Sequence, residues 1–369
     1  MLANFRLFFF ILLLKKRFLK QFEADILFGG DVSFDSPIRL ESGSACPYSD
    51  VLKHVSKYFR SADYNMINLE APFVLKQNEN STSFSNKGVH NMAWPESVKG
   101  LTSAGIKSVS LANNHISDYG DESVNLTMQI LSANKIEFVG LTNGKNSPYS
   151  PQKPLIKEIN GIKVGFLGYC GDYSGECKFY RPGFQTSTAL LREPTVKYDL
   201  QKLKGKVDFI VTFLHWGSEY AAIPNESQRK MALYLSQLGV NIIIGTHPHV
   251  LQGHEWINNT LVHYSLGNFV YHGHFTILDK LTGDRNNRKR LHAIANELSR
   301  SSRSPTTSTE LLKVKFTKSG IKTAHFLPLR IFETKTGCIQ PKAKVDDKWI
   351  VVCGAQDDNC YVPKTKYPS

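Results

Sequence analysis

Two rhythms of hydrophobic and polar positions run along the chain. Short continuous apolar runs alternate with stripes of apolar residues spaced three and four apart. The runs read as strands buried on both faces and the stripes as amphipathic helices. Ala24–Gly30, Asp63–Glu70, Lys107–Ala112, Lys163–Tyr169, Val207–Leu214, Val240–Gly245 and Leu261–Leu266 are the expected strands. Val51, Leu52, Val55, Tyr58 and Phe59 make one helical stripe, and Glu96–Gly105, Glu122–Lys135, Val196–Leu203 and Glu226–Leu238 read as helices. This alternation predicts an α/β fold around a central, largely parallel sheet covered by helices. Leu311–Phe316 and Lys322–Arg330, joined by Lys318-Ser319-Gly320, read as an antiparallel pair. The expected organisation is a short apolar and basic segment at 1–22, an α/β domain at 23–332 with a basic insertion near 275–305, and an irregular, cysteine-containing tail at 333–369.

Composition changes this picture mainly through charge. The formal net charge is +13, which invites an anionic partner such as nucleic acid, anionic lipid or an acidic polymer. The excess is peripheral: residues 21–274 hold 22 bases and 23 acids, and the surplus sits in 1–20, 275–304 and 311–369. A basic groove built into the central fold is therefore not expected. Aromatic residues do not interleave with basic ones in an RNA-binding pattern, so specific nucleic-acid binding is not expected either.

Leu7–Leu14 (LFFFILLL) lies between Arg6 and Lys15-Lys16-Arg17. It has the length of a signal-peptide core, far short of the ~20 residues of a membrane span. An uncleaved signal anchor, an interfacial anchor and a first element packed on the core all fit it. Membrane-associated or extracellular localisation is the expectation. The 6 cysteines match no C-x-x-C zinc spacing. Outside the cytosol they could pair, and sequence alone does not choose the connectivity.

In open α/β sheets ligands bind beyond the carboxyl ends of the strands. Successive expected strands here are followed by Asp31, by Asn68-Leu69-Glu70, by Asn113-Asn114-His115, by His215-Trp216-Gly217, by Thr246-His247-Pro248-His249 and by Gly267-Asn268. Each alone has a turn, cap or satisfied-core reading; Asp118, for instance, could simply cap the helix after it. Together they place hard oxygen donors and imidazoles at one sheet edge, a set suited to Zn, Mn or Fe. No phosphate-loop glycine motif, dinucleotide fingerprint or G-x-S-x-G elbow is present.

The ordered set GGD, NLE, ANNHxxDYG, HWGxEY, GTHPHV and SLGNF resembles the CapA (poly-γ-glutamate capsule biosynthesis) family, whose fold is that of the calcineurin-like metallophosphoesterases. Lys87, Trp94-Pro95 and Leu327-Pro328 also look like that family, and the resemblance covers about Ile26–Ile331. It implies a metallophosphoesterase-like sandwich of two mixed β-sheets flanked by helices. It also implies one or two divalent metal ions. Asp31 and His249 would hold one, Asn114, His215 and His247 the second, and Glu70 would bridge. His115 would serve as general acid or electrostatic stabiliser with Asp118 orienting it, while Gly217, Glu219 and Asn268 would shape the substrate site. The chain departs from the wider pattern at Asp31-Val32-Ser33, where the usual D-x-H has lost its imidazole; His90, Glu219 and His254 are candidates to replace it. The implied activity is metal-dependent hydrolysis of a phosphoester or a γ-glutamyl amide. The alternative is a non-catalytic binding or export component for an anionic polymer at a membrane.

Overall fold

The computed structural model describes residues 22–35, 46–79, 89–143, 151–171, 177, 186–271, 305–334, 338–344 and 347–352. The apolar N-terminal run, Lys87, the basic stretch 275–304, Cys353 and Cys360 lie outside the described residues.

The chain begins with β1 (Glu23–Val32), α1 (Tyr48–Val51), α2 (Ser56–Ser61), β2 (Tyr64–Leu69), α3 (Val98–Ala104), β3 (Ser108–Ser110), α4 (Gly120–Ala133), β4 (Glu137–Val139) and β5 (Leu141–Asn143). It continues through β6 (Leu155–Ile159), β7 (Ile162–Cys170), β8 (Thr186–Thr188), α5 (Glu193–Leu203), β9 (Phe209–His215), α6 (Glu226–Gln237) and β10 (Ile242–Thr246). It then runs through β11 (Leu251–Ile257), β12 (Thr260–Leu266), β13 (Asn268–Val270), β14 (Ser308–Thr317), β15 (Gly320–Glu333), β16 (Ile339–Ala343) and β17 (Ile350–Val351).

Among the described residues these strands form two large mixed sheets and a separate antiparallel pair of β5 and β8. The first has the order β16-β15-β14-β1-β2-β3-β4, with β13 also paired to β1 and β17 to β15. Its β1–β4 part is parallel and its β14–β17 part antiparallel. The second has the order β11-β12-β10-β9-β7-β6, parallel at its centre and antiparallel at both edges. The two sheets pack face to face, with helices on both outer faces.

Side-chain alternation assigns each residue to a layer. Ile242 and Ile244 enter the core between the sheets, while Ile243 between them packs on the outer face beneath α5 and α6. In β1, Ile26 and Phe28 face the second sheet and Leu27 faces the α1–α3 side. Aromatic pairs cross the inter-sheet layer: Phe28–Phe213 at 5.9 Å, Tyr64–Phe166 at 5.3 Å and Phe209–Phe316 at 4.8 Å between centroids. Each such pair adds about 0.5–1.5 kcal/mol to the burial of its rings.

The sandwich of two mixed sheets that the family resemblance implied is borne out, while the central, largely parallel sheet read from the residue pattern is corrected here. A strand buried by helices on both faces and a strand buried by a sheet on one face and helices on the other are equally apolar throughout. Residue pattern therefore identified the strands and left the layer count open. Two smaller corrections concern local structure. The single stripe from Val51 to Phe59 is two short helices, broken where Val55 N–H bonds the Leu52 carbonyl, although its apolar residues stay buried together. The segment expected as an irregular tail contributes β16 and β17, both paired with β15. Helix α6 begins as its sequence suggests, with Asn225 and Gln228 forming a reciprocal capping box.

Cys46 is bonded to Cys338 and Cys170 to Cys177. No helix among the described residues is long and apolar enough to cross a membrane.

Candidate metal centre

Strands β1, β2 and β3 are mutually parallel, so their carboxyl ends share one edge of the first sheet. Strands β9 and β10 are parallel and in register at His215 and Thr246, so theirs share an edge of the second. The two edges meet. Asp31, Glu70 and Asn114 arrive from one sheet and His215, His247 and His249 from the other, all of them buried.

Two donor groups share Glu70. Asp31, Glu70 and His249 have ligand atoms within 4.8 Å of one another, and so do Glu70, His215 and His247. His215 Nε2 is 3.4 Å from Glu70 Oε1 and 2.8 Å from Asn114 Oδ1. On the other side, His249 Nε2 is 3.8 Å from Glu70 Oε1, and its Nδ1 is 3.6 Å from Asp31 Oδ2. Glu219, half-buried, joins His247 and His249 in a third group.

The backbone is bent to make this arrangement. His247 (φ 94°) and His249 (φ 59°) both adopt left-handed conformations, on either side of Pro248. Non-glycine residues at positive φ are uncommon and cost about 1–3 kcal/mol each. The surroundings hold them: the His247 N–H donates to Asp31 Oδ2 at 3.1 Å, and the Tyr220 N–H donates to the Pro248 carbonyl at 2.7 Å.

Three asparagines to which the sequence assigned no individual role, Asn68 and Asn113 at strand ends and Asn91 in a loop, organise the donors. Asn68, opposite Asp31 in the β1–β2 register, donates through Nδ2 to Asp31 Oδ1 at 2.8 Å. Asn113 donates to Asn68 Oδ1 and to the Leu69 carbonyl. Asn91 donates to the Glu70 carbonyl at 3.3 Å and to Tyr271 Oη at 3.1 Å. Tyr271 was likewise missed; its ring stacks on His249 with centroids 4.3 Å apart. Only contact across the fold marks these residues, since in sequence they are ordinary strand-end and loop residues.

His115 sits at the same end, with Nδ1 2.6 Å from Asp118 Oδ2. Asn268 Oδ1 is 2.9 Å from His249 Nδ1, which places this amide behind an imidazole. Gly217 lies at φ 89°, and a Cβ there would meet the Gln228 side chain at 2.7 Å, so its glycine is required by backbone and packing. Ser33, in the position of the absent imidazole, accepts the Asp35 N–H at 3.3 Å. His90 makes an edge contact with the Tyr119 ring, and His254 lies on β11 against His263; neither joins a donor group.

Burial acts oppositely on the two kinds of donor. It pushes the Asp31 carboxyl above its ordinary range, against the opposing effects of His249 and Asn68. It pushes the His249 imidazole below its ordinary range, against the effect of Asp31. The Tyr271 phenol is held well above its usual value, first by burial and then by Glu70. A cation among these groups would favour the ionised carboxylate and the neutral imidazole, the forms in which each is a ligand. The donor set thus fits a divalent metal by chemistry, proximity and burial.

The sequence model described as "Bacterial capsule synthesis protein PGA_cap" matches residues 25–272, the stretch that carries every residue above. The capsule biosynthesis protein CapA of Bacillus anthracis is 32% identical over 226 residues, 60% of this chain and 53% of that protein. The PGA biosynthesis protein CapA of Bacillus subtilis (strain 168) is 32% identical over 222 residues, 60% of this chain and 56% of that protein. The chain thus spans about half the length of the curated relatives it matches. A solved structure, the calcineurin-like phosphoesterase YfkN from Bacillus subtilis, aligns with a TM-score of 0.47 at 13% identity, over 89% of this chain and 90% of that one. With two thirds of its length matched by the family's own sequence pattern, the chain belongs to the bacterial capsule synthesis protein (PGA_cap) family.

Proposed function

We propose that the protein is a divalent-metal-dependent hydrolase of capsule synthesis, acting on a phosphoester or a γ-glutamyl amide. The observation that carries this reading is Glu70 shared between two buried carboxylate–imidazole groups, a layout that suits two neighbouring ions. When bound, such ions supply positive charge and Lewis acidity at the scissile group.

The chain's own residues have separate tasks. Asp31, Glu70, Asn114, His215, His247 and His249 would hold the metal. Asp118 engages His115 Nδ1, which leaves Nε2 as the ring nitrogen able to protonate a leaving oxygen. Glu219 lies beside His247 and His249, where it can contact substrate or complete the site left short by Ser33. An anionic polymer is the expected partner, consistent with the names of the capsule relatives.

The two disulfides among the described residues suit an oxidising compartment. This supports an envelope or extracellular setting, with the apolar and basic residues 1–22 as a membrane-surface anchor for the domain at 23–332.

The test is elemental analysis of the chain purified without chelator, paired with turnover of generic phosphoesters and γ-glutamyl amides. Metal at one or two equivalents, lost with His247→Ala plus His249→Ala together with turnover, is expected. Metal-free protein, or turnover that survives both substitutions, overturns the reading.

A further inference from the structure

We propose that the Tyr271 hydroxyl is a substrate-binding hydrogen-bond donor, aimed at an anionic oxygen of the substrate. The inference rests on the metal-hydrolase reading and adds a substrate contact that the metal ligands do not supply.

Tyr271 directly follows β13, the strand that begins with Asn268 and pairs with β1 at Asp31 and Val32. Its ring is fixed from one side by the stack on His249, at 4.3 Å between centroids and 28° between planes. Its tip is fixed by Asn91, whose Nδ2 donates to Tyr271 Oη at 3.1 Å. Asn91 is anchored in turn, its backbone N–H donating at 2.9 Å to Asp118 Oδ2, the oxygen that engages His115. One chain of contacts therefore links His249 to His115 through Tyr271, Asn91 and Asp118.

The direction of the Asn91 bond decides the chemistry. An amide NH₂ can only donate, so the phenolic oxygen is an acceptor there and keeps its own proton to give. Among the described residues no acceptor takes that proton. Glu70, Glu219 and Tyr220 surround the phenol closely enough to act on it electrostatically. A fixed neutral donor beside carboxylates can receive a phosphoryl or carboxylate oxygen without adding a further positive charge to the site. A ring needed only to pack on His249 would not need its hydroxyl, and this separates the two roles experimentally.

The full chain loaded with Mn²⁺ is titrated by calorimetry with inorganic phosphate and, separately, with glutarate, and metal content is measured in parallel. Tyr271→Phe keeps the stacked ring and removes the donor. It is expected to hold metal at the parent stoichiometry and to bind the preferred anion about tenfold more weakly, the effect of one hydrogen bond to a charged group. The anion that is weakened reports whether the contact is phosphoryl or carboxylate. Parent-like binding of both anions by Tyr271→Phe overturns the inference and leaves the hydrolase reading standing. Loss of metal in Tyr271→Phe overturns it too, because the hydroxyl would then serve the metal. If the unsubstituted chain takes up no metal, the hydrolase reading falls and the inference with it; if it takes up metal but binds neither anion, the inference alone falls.

Discussion

Asn268 Oδ1 lies 2.9 Å from His249 Nδ1, while the nitrogen of the same amide donates to the Thr306 carbonyl at 3.3 Å. The second bond sets which end of the amide faces the imidazole, so His249 Nδ1 carries the proton and Nε2 keeps its lone pair toward Glu70. Partners of this kind typically contribute 10–100-fold to metal affinity. Asn268→Ala is expected to weaken Mn²⁺ binding by about that factor, with an unchanged circular dichroism spectrum. Asn268→Asp, which keeps the acceptor, should recover most of the loss. Calorimetric titration of the three proteins checks this; equal affinities would remove Asn268 from the site.

Gly30 is the point where β1 passes the β12–β13 connection. A Cβ there would lie 2.0 Å from the Gly267 carbonyl oxygen, and Asp31 N–H already donates to that same oxygen at 3.0 Å. Backbone cannot yield as a flexible side chain can. Gly30→Ala should therefore displace Asp31 relative to Asn268, costing about 2–3 kcal/mol as an overpacked site and lowering metal affinity with it. Gly29→Ala is the control, since its Cβ would meet side-chain atoms, the nearest at 3.1 Å. Thermal melts and metal titration of both variants separate the two effects.

Away from the centre, His254 packs on His263 at 5.3 Å and on Phe326 at 5.9 Å between centroids, and His263 Nε2 is 2.5 Å from Glu310 Oε1. Burial first, then His263, pushes His254 down to about 4, with Glu310 opposing. As pH falls below ~6.5 the unfolded chain binds a proton that folded His254 refuses. The stability associated with this group is thus fully present above ~6.5 and is lost progressively as pH falls to ~4. A loss on the order of 2 kcal/mol is expected, discounted because His254 is half-buried. Urea midpoints at pH 7 and 4.5 for the parent and for His254→Gln measure it; parallel pH slopes would refute the assignment.

The Cys46–Cys338 bond closes a sequence separation of 292 residues, joining the segment before α1 to the start of β16. Crosslinks over long loops restrict the unfolded chain most, and removing a native one typically costs about 2–5 kcal/mol. Cys338→Ser should lower the melting temperature, and reductant should lower that of the parent but leave the Cys338→Ser variant less affected. Peptide mapping under non-reducing conditions verifies the pairing.

Much of the candidate site was legible before the fold. Asp31, Glu70, Asn114, His215, His247 and His249 each follow a strand that its apolar run announces, and the structure brings all six together. Glu219, His90 and His254 were three indistinguishable candidates to replace the missing imidazole; the fold puts Glu219 beside His247 and His249, whereas His90 and His254 join no donor group. An imidazole's usefulness depends on where its strand ends, and for His254 the relevant strand, half-exposed and polar at the sheet edge, has no clear apolar run to announce it.

Sequence by itself determined the local facts: which of the longer apolar and periodic segments are strands and helices, and which donors stand at their ends. These depend on periodicity and side-chain chemistry, which act over a few residues. The residue pattern left the layer count open and only the family motifs implied two sheets; tertiary structure alone decided that Ile243 and its neighbours Ile242 and Ile244 serve different layers, and that β16 and β17 belong to the first sheet. It also decided that Asn68, Asn91 and Tyr271 support the centre, and that Gly30 must be bare where another backbone crosses it. The physical reason is common to all of these. An apolar run is satisfied by any dry neighbour, and an amide by any well-placed partner, so only the pairing of distant segments selects which neighbour each one has.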